Sequence, residues 1–162
     1  MDEIKLYEVD GNYINFLLPY ALHLFQNRKS GQKNERKYIG VVLRVNGFDY
    51  FAPLSSFKDK HKKMKEGIDF LKVKDYAVIN LNNMFPVVNG VYTYVDISKE
   101  KDVHYRALLQ AEYRYIKSIK DKILKNAATL YNIKKRDGNS SALAKRCNDF
   151  LKLEEICVQY LK

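Results

Sequence analysis

Residues Arg36 to His61 read RKYIGVVLRVNGFDYFAPLSSFKDKH, and the fold turns on how this stretch pairs with itself. Asn46-Gly47 lies between two runs of apolar, β-branched and aromatic residues, and such a dipeptide accepts φ > 0 at both turn positions. It predicts a two-residue hairpin, with strands from Tyr38 to Val45 and from Phe48 to Leu54. Pro53 has no N–H to give to a ladder, so pairing is expected to stop there. Leu54-Ser55-Ser56-Phe57-Lys58 then leaves the strand end. Two hydroxyls and an ammonium held by a rigid support are the usual beginnings of a binding or catalytic constellation.

Outward from the hairpin, Asn27 to Glu35 (NRKSGQKNE) has no apolar residue and reads as a basic loop. Before it, Lys5 to Val9 alternates as a strand, Asp10-Gly11-Asn12 makes a turn, and Asn12 is placed to cap a helix from Tyr13. Pro19 divides that helix into Tyr13–Leu18 and Tyr20–Gln26. After the hairpin, Lys58 to Lys65 gathers lysines around His61. Met64, Ile68, Phe70 and Leu71 give it the weak apolar edge of an irregular helical turn.

Tyr76 to Leu81 reads as a buried strand, Asn82-Asn83 as a turn, and Met84 to Val88 as a short run interrupted by Pro86. Asn89-Gly90 is a second hairpin signal before the alternating run Val91 to Ile97. From Asp102 the period changes: Tyr105, Leu109, Tyr113, Ile116, Ile119, Ile123, Ala127 and Leu130 recur three or four apart. This predicts one long amphipathic helix capped by Asp102 and ended at Asn132 or at Asp137-Gly138. Leu143, Cys147, Phe150, Leu153, Ile156 and Tyr160 imply one further helix or two short ones. Strands first and helices last is an α+β pattern, a curved antiparallel sheet packed on a helical layer, in one domain spanning residues 1–162.

Hydrophobic residues make up 46% of the chain, enough for a core, and no apolar run reaches the ~18 residues of a membrane helix. MDEIKLYEV lacks the basic-then-apolar layout of a secretory signal, and two nearby cysteines, Cys147 and Cys157, do not make a disulfide framework. A soluble protein of the reducing cytoplasm is expected. The formal charge is +10, and residues 28 to 65 hold eleven Lys/Arg against three Asp/Glu, a local excess of eight. A solvated face accounts for many such runs, but an excess concentrated beside a hairpin also fits a polyanion.

The three histidines, His23, His61 and His104, fall in separate elements without carboxylates at ligand spacing, so no metal site is expected. There is no glycine-rich phosphate loop and no G-x-S-x-G elbow, so no cofactor is expected either. Hydroxyl, guanidinium, ammonium and imidazole remain. These suffice to cut RNA, whose own 2′-hydroxyl attacks the neighbouring phosphorus while the protein moves protons and stabilises phosphorane charge. Each candidate also has a plainer reading. Ser55 and Ser56 can cap a turn, Lys58 can be a solvated lysine, Arg36 can blunt a sheet edge, and Tyr13 can be a packing residue. His61 among lysines is biased toward its neutral form, which suits a base, although a lone surface histidine usually does nothing.

In order along most of the chain, the residues around Tyr13, the basic residue before KYIGVVL, the NG hairpin into YFAPLSS, the basic run with His61, INLNNMFPV and CNDFLKLEE are similar to the ToxN/AbiQ family. These are endoribonuclease toxins of bacterial type III toxin–antitoxin systems. The resemblance implies a barrel-like sheet related to that of the MazF/Kid toxins. It implies metal-independent RNA cleavage to 2′,3′-cyclic phosphate and 5′-hydroxyl ends, and a small pseudoknot-forming RNA antitoxin that blocks the toxin in a closed toxin–RNA assembly.

It further implies cellular or phage RNA as target, with abortive infection as the outcome, and no membrane partner. By the same resemblance Ser56 is the key active-site serine, Ser55 the hydroxyl residue before it, Lys58 the lysine after it, and Tyr13 the tyrosine near the first helix. The family often has lysine where Arg36 stands. Arginine does not act as a base, so that role shifts toward Lys58, His61 or the RNA itself. RNA contacts are expected from Lys33, Lys37, Arg44, Lys60, Lys62, Lys63 and Lys65, with Tyr38 and Phe57 stacking on unpaired bases. The rival from another class is a non-catalytic RNA-binding module on the same basic sheet. A third reading is a DNA-binding structural protein.

Overall fold

The computed structural model describes residues 4–21, 24 and 34–160. Strand β1 (Lys5–Val9) is followed by α1 (Gly11–Leu17), whose cap is Asp10 rather than Asn12: the Asp10 carboxylate accepts from the Asn12 N–H at 2.9 Å. Pro19 falls in a 3-10 turn, Leu18–Tyr20, a tight continuation of α1, and most of the expected second piece Tyr20–Gln26 lies outside the described residues. Most of the basic loop Asn27–Glu35 lies outside the described residues.

The hairpin forms as its turn chemistry demands. Strand β2 (Lys37–Val45) pairs antiparallel with β3 (Phe48–Ser56), and Asn46 and Gly47 take φ of 54° and 81°. Pro53, however, does not end the pairing. On the edge of β3 away from β2, one end of the strand (Asp49–Phe51) pairs with the strand Phe85–Val87, and the other (Leu54–Ser56) with the strand Ala77–Asn80. The interval between those two partners contains Pro53, so the residue without an N–H sits where that edge carries no ladder.

Beyond β3 come α2 (Asp59–Lys63), β4 (Phe70–Val73), β5 (Ala77–Asn80), β6 (Phe85–Val87) and β7 (Tyr92–Tyr94). Strand β4 takes the place of the apolar edge expected for a helical turn. It joins β5 through a tight connection in which Lys74 adopts φ 51°, a position at which lysine gives no turn signal. The Asn89-Gly90 turn is real, with Gly90 at φ 87°, but it does not close a hairpin, because β6 pairs with β3 and β7 with β1. Along the main path the order is β4-β5-β3-β2-β1-β7. Among the described residues the sheet is therefore antiparallel and not closed, and the barrel-like closure that the resemblance implied is not seen.

Alternate residues of the hairpin enter two separate cores. Ile39, Tyr50 and Ala52 join one cluster with Leu109, Ile116, Ile123 and Leu130, while Tyr38, Phe51 and Phe85 join the other with Tyr13, Leu17, Leu153 and Ile156. With period two, this means that the sheet is buried on both faces. The near-continuous apolar run of β2 reflects that burial, which a single helical layer does not provide. At Gly40 a Cβ would overlap the Phe51 ring, so glycine is what admits the Tyr7–Phe51 stack, whose centroids are 4.7 Å apart.

The long helix is two: α3 (Val103–Ser118) and α4 (Lys120–Asp137) meet at Ile119, whose φ/ψ of −111°/20° interrupts the geometry. The Ser118 hydroxyl donates to the Tyr115 carbonyl, a back-bond that bends helices, whereas the apolar stripe continues across the joint. Asp102 caps α3 as expected, accepting from the N–H groups of His104 and Tyr105, and Gly138 ends α4 at φ 60°. Two short helices, α5 (Ala142–Lys145) and α6 (Phe150–Cys157), complete the chain. Both cysteines are buried free thiols. Among the described residues, no helix is long and apolar enough to cross a membrane.

Candidate active site

The end of β3 and the start of β2 lie side by side, since Lys37 pairs with Leu54. That register brings Arg36 against Ser55: its guanidinium Nη1 donates to Ser55 Oγ at 2.8 Å, and the Asn80 amide on β5 donates to the same oxygen at 3.3 Å. Arg36 is only 8% exposed, and burial draws its pKa down from the ordinary value. Guanidinium pKa values are so high that the group keeps its charge. A held serine oxygen and a mostly desolvated cation therefore stand together at the sheet end.

Arg36 and Ser55 line a cleft of about 260 Å³, at the small end for a ligand site. Ser56 also lines it. Its side chain is exposed and has no hydrogen-bond partner among the described residues, so its hydroxyl is available to a ligand. Lys37 lies in the wall, 7% exposed, with Nζ 2.7 Å from Glu8 Oε2 and 3.2 Å from the Glu35 carbonyl that accepts from it. Burial lowers its pKa, but the Glu8 carboxylate and the Tyr105 side chain more than offset this, and the net shift is upward. Lys37 is thus an engaged structural cation and not part of an exposed strip.

From the helical side, α3 contributes Tyr105 and Glu112. Glu112 is 5% exposed, and burial pushes its carboxyl up to about 7 despite the opposing pull of Lys37. Neither Glu112, Asn80, Tyr76 nor Tyr105 was expected at the site from sequence. Glu112 did leave a signal there, because it falls on the apolar stripe between Leu109 and Ile116, where a carboxylate is out of place.

A model of the family described as toxin ToxN of type III toxin–antitoxin systems matches residues 5–158. The chain belongs to this family. Endoribonuclease ToxN of Bacillus thuringiensis subsp. kurstaki is 29% identical over 167 residues, taking in 98% of this chain and 85% of that protein. Endoribonuclease ToxN of Pectobacterium atrosepticum is 28% identical, over 94% of this chain and 96% of that protein. A solved structure concerned with selective toxin inhibition by a non-coding RNA pseudoknot superposes with a TM-score of 0.85 at 29% identity, covering 98% of each chain. Another, concerned with a processed non-coding RNA that regulates a bacterial antiviral system, gives 0.86 at 25% identity, covering 98% of this chain and 99% of that one.

In this ToxN-family chain, several residues singled out by sequence do not reach the cleft. Tyr13 is 0% exposed and donates to the Pro86 carbonyl at 2.6 Å, with its ring against Tyr160. Burial raises its pKa far above the ordinary phenol value, and Tyr13 packs in the core away from the cleft. His61 is not a surface histidine: it is 6% exposed, between the rings of Phe57 and Phe70, and its Nδ1 accepts from the Lys58 N–H at 2.8 Å. Burial and then Lys60, Lys58 and Lys72 lower its pKa, keeping it neutral. It shapes the turn that carries Lys58 instead of lining the cleft.

Tyr38 is 0% exposed and cannot stack on a base, and Phe57 is half-buried against His61. Arg44 is at the far end of the hairpin, paired with Asp49 at 2.7 Å, well away from Ser55 and Ser56. Lys58, Lys60, Lys62, Lys63 and Lys65 are exposed, with Lys62 3.4 Å from Asp59. Lys33 lies outside the described residues. Among the described residues, no three His, Cys, Asp or Glu side chains gather as metal ligands would.

Proposed function

We propose that this chain is the cytoplasmic endoribonuclease toxin of a type III toxin–antitoxin system. It cuts single-stranded RNA without a metal ion by 2′-hydroxyl attack, leaving 2′,3′-cyclic phosphate and 5′-hydroxyl ends. A small pseudoknot RNA antitoxin holds it inactive in a closed toxin–RNA assembly until infection. The observation that carries this reading is the Arg36–Ser55 contact beside the exposed Ser56 hydroxyl, in a chain matched to the ToxN family over almost its whole length. Arg36 stabilises charge on the phosphate oxygens, and Ser55 and Ser56 orient the phosphodiester. Lys58, exposed two residues further on, adds a cation at the strand end.

Incubating the protein with a random-sequence pool of single-stranded RNA in EDTA tests this. Fragments ending in cyclic phosphate support it. Tight binding with intact RNA shows a non-catalytic RNA-binding module instead. The exposed lysines of α2 and the segment after it supply sequence-independent affinity. Charge reversal at Lys60, Lys62 and Lys63 is expected to weaken RNA binding and to flatten its logarithmic salt dependence by about one unit for each phosphate no longer neutralised. An unchanged salt slope would mean that these lysines only meet solvent.

A further inference from the structure

We infer that Glu112, on α3, is the group that takes the proton from the attacking 2′-hydroxyl. This rests on the reading of the chain as an endoribonuclease. Glu112 is more than nine-tenths buried and lines the same cleft as Arg36, Ser55 and Ser56. No hydrogen bond or ion pair engages it among the described residues; its neighbours act on it through longer-range charge, Lys37 favouring its ionised form. A carboxyl held so far from water is costly to ionise, and a site that binds a hydroxyl beside it gives that cost a use.

The other groups in the cleft are poorly suited to the task. Arg36 holds Ser55 and keeps its proton. Lys37 is tied to Glu8, a pairing that favours its charged form. Tyr105 is pushed upward, chiefly by burial. Glu35 lines the cleft but is exposed, and Tyr76 presents only a phenol. Lys58 and His61 are not among the lining residues. Glu112, drawn up to about 7, is matched to general-base work near neutral pH.

In the step itself the 2′-oxygen passes its proton to the Glu112 carboxylate as its bond to phosphorus forms. The bond from phosphorus to the 5′-oxygen breaks, and that oxygen takes a proton from water. Glu112 then returns its proton to solvent. Atoms and charge balance, and the products are the cyclic phosphate and the 5′-hydroxyl. Arg36 compensates the charge on the phosphorane oxygens throughout.

Single-turnover cleavage of the random-sequence RNA pool in EDTA, measured from pH 5.5 to 8.5, tests the assignment. For the wild type the rate should rise with pH up to about 7 and then level, because the ionised carboxylate is needed. Glu112→Gln keeps the shape but accepts no proton from a hydroxyl. It should cleave ~10²–10⁴-fold more slowly and lose the limb near pH 7. Its melting temperature at pH 8 should not fall below that of the wild type, since an amide needs no ionised burial. Glu112→Asp should recover part of the rate and keep the limb.

A wild type that cleaves with a flat profile overturns the inference. So does a Glu112→Gln protein that cleaves within about threefold of wild type, or one that is slow but retains the limb. A wild type that cuts no RNA at all overturns the endoribonuclease reading itself, which separates the two failures.

Discussion

Ser56→Ala is expected to cut RNA ~10²–10³-fold more slowly than the wild type while still binding it, because one positioned donor to a developing oxyanion is typically worth that much. The hydroxyl is exposed in the cleft with no partner in the protein among the described residues, so its removal breaks no internal hydrogen bond. Binding draws on many cations instead, and a neutral hydroxyl contributes little to that sum. The measurement is single-turnover cleavage beside equilibrium RNA binding. A mutant that cleaves within about threefold of wild type would reduce Ser56 to a strand residue and leave Arg36, Ser55 and Glu112 as the site. Loss of binding together with cleavage would show that the strip and the cleft are not separable.

Glu154→Leu is expected to destabilise the fold by about 3 kcal/mol, since buried donors left without an acceptor cost ~1–3 kcal/mol each. Glu154 Oε2 accepts from the hydroxyls of Tyr50 at 2.6 Å and Tyr131 at 2.8 Å, while Oε1 accepts from the Asn46 amide at 3.2 Å. One carboxyl thus ties the hairpin turn, β3 and α4 to α6. Asn46 also donates to the Tyr131 hydroxyl at 3.1 Å, so the turn residue is fixed from outside as well as by its own φ. Urea denaturation reads the destabilisation directly. Tyr131→Phe, which leaves the carboxyl its other donors, should cost only about 1 kcal/mol. A Glu154→Leu protein as stable as wild type would mean that its apolar packing offsets the whole network.

Much of this architecture was legible because local chemistry and global fold agree. Asn46-Gly47 declared its hairpin, Asp102 its cap, and Tyr105 to Leu130 their stripe. The failures have specific causes. Pro53 was read against one neighbour, but β3 has partners on both edges and its gap coincides with the proline. Ser118 bends a helix whose periodicity runs on unchanged. Asn89-Gly90 is a true turn whose strands find other partners, which no local signal records.

In the cleft, Ser55 and Ser56 were singled out by the strand end and Arg36 by the family resemblance, and the register of β2 on β3 is what brings Arg36 against Ser55. Asn80 and Glu112 were not singled out, since their approach depends on how β5 and α3 pack. Tyr13 and His61 were misplaced for the same reason. Each bears a reactive group, and each is turned into the interior by neighbours distant in sequence, Pro86 and Tyr160 for one and Phe70 for the other.

The two free cysteines lie in different cores, Cys147 with the α3–α4 side of the sheet and Cys157 with the α1–α6 side. Burial raises both thiols to about 11, so little thiolate exists near neutrality and neither is a target for disulfide exchange while its core stays closed. Alkylation of each then waits for the opening of its own half of the molecule. The chain therefore carries two internal clocks: equal labelling rates would show the sheet's two faces opening as one cooperative unit, and unequal rates would show which face is released first.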